Sequence, residues 1–174
     1  MEGEAPISAA ELAAIQKSFL DGSTPAGRAA DPGRMLSLWQ PYAGLMVAGV
    51  KRVEGRVWSS DYTGWLWIHA GSKKLDAEEF DAVLDSYASQ RHQFPKSFPT
   101  SAILGRVYVV GQLSHADYER CTDICHLESN QSPFVFLTSQ WQQLLVPIRA
   151  SGEHKIWTMP KPLFKSCKLA IDAL

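Results

Sequence analysis

The chain has 174 residues, 45% hydrophobic and 20% charged, with a formal net charge of −1; this is room for one full core but not two, in an ordinary globular balance. No apolar run approaches the ~18–20 residues of a membrane span, and no basic segment followed by an apolar run opens the chain, so neither a span nor a secretory leader is expected. Three cysteines without a regular framework point to a reducing compartment, the nucleus or the cytoplasm.

In chain order, Ser8 with Glu11 forms a capping-box pattern and predicts a helix over 9–20, with Leu12, Ile15, Phe19 and Leu20 on one face. Residues 21–34 hold Gly and Pro without periodicity and read as a linker. Residues 1–34 are therefore expected as an N-terminal helical extension, docked or detached, and residues 35–174 as the compact domain. Met35 to Trp39 predicts a strand; Pro41 opens a helix to about Ala48, and Gly49 stops it. Residues 50–58 predict a second strand and Trp65 to Ala70 a third, with Trp65, Trp67 and His69 on one face. Asp76 caps a helix over 77–90 whose Phe80, Val83, Leu84 and Tyr87 turn inward. Ile103 to Leu113 is the longest β-branched run and predicts a central strand, and Ser114 with Asp117 starts a short helix. Phe134 to Leu137, Leu144 to Ile148 and Ile156-Trp157 predict three more strands before a final helix from Pro162. Short strands, interleaved helices and glycine-marked bends predict an α+β barrel.

Charge is unevenly spread. Residues 34–74 carry six bases against two acids, and 149–168 five against one, whereas 75–90 carry five acids and no base. If the two basic stretches meet, a neutral protein acquires a basic face, and local field governs phosphate binding more than net charge does. Within the first of them stands the octet Gly49-Val50-Lys51-Arg52-Val53-Glu54-Gly55-Arg56. Its bland reading is a solvated hairpin; its functional reading is a ligand site in which Lys51 and Arg56 hold phosphate oxygens and Glu54 positions a cation or accepts from a base amino group. Trp39, Tyr42, Trp58 and Trp67 are candidate stacking surfaces, each weighed against ordinary packing.

The pattern Gly49-x-Lys51-x-x-Glu54-x-Arg56, preceded by a strand and Gln40-Pro41-Tyr42, resembles the signature of the ASCH (activating signal cointegrator homology) domain. Ser132-Pro133-Phe134-Val135-Phe136 and Lys155-Ile156-Trp157 are similar to the eukaryotic coactivator branch of that family, and the resemblance spans about 35–170. It implies a PUA-like fold, a small mixed β-barrel flanked by helices with a cleft at its mouth, lined by Lys51, Glu54 and Arg56. It also implies DNA or RNA as ligand, and nuclear-receptor or coactivator-complex proteins as further partners; weak sequence preference is expected because the chain shows no recognition helix of a groove-reading type. The candidate nucleic-acid-binding set is then Lys51, Glu54, Arg56, Trp39, Gln40, Tyr42, His69, Lys73, Lys74 and Lys155, on a monomer with no cofactor and no membrane contact.

Three other readings compete. Small bacterial members of the family are amidohydrolases on acylated nucleosides and use a threonine three residues after the lysine; here that position is Glu54, so no enzyme is expected. A protein-interaction module is motivated by Leu12, Ile15 and Phe19 of the first helix. His115, Cys121, Cys125 and His126 have a spacing that fits no tight zinc motif, and no metal is expected.

Overall fold

The computed structural model describes residues 6–23 and 30–174. The first helix, α1 (Ala9–Asp21), carries the capping box in full: Ser8 accepts from the Glu11 amide, and Glu11 accepts in return from the Ser8 backbone. Helix α1 is docked. Phe19 is buried and Leu12 nearly so, both in a cluster with Val53, Tyr108, Val135 and Leu137. The expected linker lies partly outside the described residues, but its end is anchored: Asp31 Oδ2 accepts from Arg106 Nη1 at 2.8 Å and from Trp67 Nε1 at 2.9 Å.

The remaining elements are β1 (Arg34–Gln40), α2 (Tyr42–Val47), β2 (Val53–Arg56), β3 (Gly64–Lys74), α3 (Ala77–Ser86), a 3-10 turn (Ala88–Gln93), β4 (Ala102–Ser114), α4 (His115–Arg120), α5 (Thr122–Cys125), β5 (Phe134–Arg149), β6 (Ile156–Thr158) and α6 (Lys161–Asp172). One six-stranded sheet runs β2-β5-β4-β3-β1-β6, with β1 and β3 parallel and the other pairs antiparallel. The expected α+β architecture stands. The barrel is unclosed: among the described residues no ladder joins edge strands β2 and β6. Instead Arg56 reaches from β2 to β1, its Nη2 donating to the Ser37 carbonyl at 3.2 Å.

Residues alternate across β3 as the pattern requires. Leu66, Ile68 and Ala70 enter the cluster beneath α2 with Leu36, Leu38, Met46 and Phe136, whereas Trp67 joins Met35, Ile103, Cys167 and Ile171 beneath α6. Both sheet faces are therefore covered, and β3 is buried through most of its length.

Three boundaries differ from expectation. The second strand shrinks to four residues because the Val50 and Lys51 amides both turn back to the Leu45 carbonyl, closing α2. The two segments expected around 134–137 and 144–148 are one sixteen-residue strand. The polar run between them pairs with β4 across register shifts, which a hydrophobic pattern does not show. The helix expected over 77–90 breaks at Ser86 into the 3-10 turn and has no fully buried residue.

Candidate functional site

The octet begins at a turn that only glycine fits. Gly49 has φ +74°, and a Cβ there would stand 2.1 Å from the Trp141 indole. The four charged residues of the octet divide their roles. Lys51 points inward: its Nζ donates to the Val53 carbonyl at 2.6 Å and lies 3.3 Å from Glu54 Oε2 and 3.5 Å from Glu128 Oε1. Burial works against its charge, but the two carboxylates outweigh it and raise its pKa above the ordinary lysine value. An ammonium has three donors, and here three protein oxygens surround it. Lys51 is therefore placed behind the cleft wall, not on it, which corrects the expectation that it holds phosphate.

Arg52 faces α1. Its Nη2 donates to the Phe19 and Thr138 carbonyls, and its guanidinium stands 4.1 Å from the Phe19 ring centroid. It staples the helix to β5 rather than serving a ligand. Glu54 and Arg56 do reach a cleft, with Arg56 Nη2 3.6 Å from Glu54 Oε1.

The cleft occupies the seam between β2 and the part of β1 beyond its pairing with β6, and encloses about 890 Å³. Its cations are Arg56, Lys73 and Lys155, drawn from both basic stretches of the sequence. Its aromatic walls are Trp39, Tyr42 and Trp58. Trp39 is 49% exposed although it lies within a strand, an unusual position for an indole unless something covers it. Lys73 Nζ lies 5.8 Å from the Trp39 ring centroid, and Lys155 Nζ 5.8 Å from that of Trp58, within cation–π range. Glu54 and Glu153 are the acids of the lining.

The other expected site residues are elsewhere. Gln40 is fully buried and brackets α2, donating to the Pro99 carbonyl at 2.8 Å and accepting from the Gly44 amide at 2.9 Å. Lys74 ends β3 outside the cleft lining. His69 is buried against an adjoining cavity, with burial lowering its pKa. Trp67 is core. Of the four residues weighed for zinc, Cys121 is buried beneath α1, and His115 pairs with Glu119 at 3.1 Å. Among the described residues no three His, Cys, Asp or Glu side chains gather as a metal would require.

Sequence reasoning missed Glu128. Besides Lys51 it accepts from the Arg52 amide at 2.8 Å and from the Tyr87 hydroxyl at 2.7 Å, so it links the octet to α3 and to the segment after α5. Its separation of 77 residues from Lys51 left no local signal.

A curled, unclosed mixed sheet that sets Glu54 and Arg56 over a buried lysine is the frame in which the octet must be read, and comparison assigns it. The family model described as ASCH domain matches residues 36–151, and the chain belongs to that family. Over 142 residues, 79% of this chain, it is 35% identical to activating signal cointegrator 1 of Homo sapiens and 34% identical to that of Mus musculus. The chain spans about a quarter of the length of these curated relatives, 24% of each. The crystal structure of ASCH from Zymomonas mobilis resembles it with a TM-score of 0.46 at 15% identity, covering 78% of this chain and 93% of that one. No helix among the described residues is long and apolar enough to cross a membrane.

Proposed function

We propose that this chain is a non-catalytic nucleic-acid-binding module that holds an unstacked base and its phosphates in the cleft between β1 and β2. The observation that carries the reading is the pairing of exposed Trp39 and half-buried Trp58 with Lys73, Lys155 and Arg56 around one cavity. Indole faces stack any base, and cations track the backbone, so single strands of DNA or RNA are held with weak sequence preference. Similarity to a cointegrator supports a role beside transcription in the nucleus. What supports a role without catalysis is the environment of Lys51, whose donors already face protein oxygens, and the carboxylate at position 54. The test is fluorescence anisotropy with single- and double-stranded DNA and RNA at two salt concentrations. Binding to single strands should weaken steeply with salt; if neither Arg56→Ala nor Lys73→Ala changes affinity for any probe, the reading falls. Hydrolysis of N4-acetylcytidine by the purified protein would overturn the non-catalytic part.

Receptor or coactivator-complex proteins are the alternative partners. The surface first offered for them is spent, because Leu12 and Phe19 of α1 are buried; the exposed apolar side chains Leu145 and Val146 of β5 favour this reading instead. Loss of a protein partner in Leu145→Ser/Val146→Ser, with nucleic-acid affinity unchanged, would support it.

A further inference from the structure

Ser37 and His69 are partners across the β1–β3 ladder. Ser37 Oγ lies 2.8 Å from His69 Nδ1, and His69 Nε2 lies 2.7 Å from the Ala150 carbonyl. A carbonyl only accepts, so Nε2 carries a hydrogen; in the neutral ring, which burial favours, Nδ1 then accepts from the Ser37 hydroxyl. Gly152 lies directly over this pair. A Cβ at that position would stand 2.3 Å from Ser37 Oγ and 2.7 Å from His69 Nδ1, so any larger residue would lift the segment away. The buried histidine thus pins the stretch that brings Glu153, His154 and Lys155 to the cleft.

Beside that stretch is a second cavity of about 800 Å³. It shares Ser37, Gly71, Ser72, Glu153 and His154 with the cleft, so the two adjoin at the free edge of β1. Their linings differ in kind. The cleft has indoles and cations; the second cavity has the hydroxyls of Ser72, Ser101 and Ser151 with the His69 and His154 imidazoles and one carboxylate, Glu153, at the end it shares with the cleft, and its lining holds no Trp, Tyr, Phe, Lys or Arg. Hydroxyls and backbone amides bond sugar and phosphate oxygens, whereas the broad indole faces on which a base stacks are confined to the cleft.

We infer that the second cavity receives the sugar–phosphate linkage of the nucleotide adjoining the one in the cleft, so that a single strand crosses the protein over the Ser37–Gly152 junction. The inference rests on the nucleic-acid reading above and adds a second, chemically distinct compartment to it. Ser151 is exposed at the rim, so Ser151→Trp fills the cavity without entering the core. Uridine monophosphate, and labelled oligouridine and oligothymidine of about eight nucleotides, serve as probes. Ser151→Trp should weaken oligonucleotide binding about tenfold, the effect of losing one or two hydrogen-bonded contacts, and leave the mononucleotide unchanged, whereas Arg56→Ala should weaken both. Equal losses for the two oligonucleotides would assign the contact to the phosphate; a loss confined to oligouridine would assign it to the ribose hydroxyl. Unchanged oligonucleotide affinity in a Ser151→Trp protein that melts like the parent would overturn the inference while leaving the cleft intact, as would an equal loss for the mononucleotide. If no probe binds the unaltered protein, the nucleic-acid reading falls and this inference falls with it.

Discussion

Lys51 Nζ lies 3.3 Å from Glu54 Oε2, with both side chains buried and a second carboxylate, Glu128, 3.5 Å from the same nitrogen. The lysine therefore bridges two acids inside the protein, Arg56 is the second cation beside Glu54, and Glu54 and Arg56 both line the cleft.

Replacing Lys51 should unfold the domain before it affects a ligand. Lys51→Ala leaves the buried Glu128 carboxylate without the ammonium that pairs with it and Glu54 with Arg56 alone, a change that typically costs about 3–5 kcal/mol. Chemical denaturation should show the loss; a variant as stable as the parent would mean that water screens the cluster.

Arg56 carries the opposite expectation. It is 25% exposed at its side chain and lines the cleft. Arg56→Ala should lower the slope of log affinity against log salt by about one, with a smaller loss of stability than Lys51→Ala because Glu54 keeps Lys51. An unchanged slope would remove it from the phosphate path.

Trp39 is expected to matter for binding alone. Its ring is half exposed, so Trp39→Ala should leave stability nearly unchanged and cost about 1–3 kcal/mol of single-strand affinity. A fall in stability with unaltered affinity would make it a packing residue.

The N-terminal segment should prove part of the fold. Deleting residues 1–34 removes Phe19 from its cluster and Asp31 from Arg106 and Trp67. Asp31→Asn isolates the second term; Arg106 would remain buried without its counter-charge, again at a cost of about 3–5 kcal/mol. Equal unfolding midpoints for the parent and the deletion would show that α1 is dispensable.

His69 sets a sign for pH dependence. Burial lowers its folded pKa, so between the unfolded value of about 6.5 and that lower value the unfolded chain holds more protons. Stability should fall as pH drops through this window and level off below it. In His69→Gln the fall should be shallower; an identical slope would assign the pH dependence to other groups.

Much of this was readable locally. The Ser8–Glu11 box, the Asp76 and Ser114 caps and the alternation of Trp65 through Ala70 are each set by neighbours within a few residues, and each is found in place. The octet lies within the segment matched by the family model, yet its sequence does not sort its charges. Lys51, Arg52 and Arg56 look alike in sequence, and what separates them is contact with Glu128, Phe19 and Ser37, respectively 77, 33 and 19 residues away.

By itself the sequence determined most element types, the α+β class, the family motif and the existence of two basic stretches, because periodicity, capping and composition act over short range; that the stretches meet is a property of the folded cleft. Tertiary structure alone decided which cations are buried and which face the cleft, that the N-terminal helix belongs to the core, and that the sheet stays open along the seam where the cleft forms. The physical reason is the same in each case. Desolvation and charge pairing depend on what the folded chain brings within a few ångströms, and Glu128, Asp31 and Gly152 carry no mark of their partners until it does.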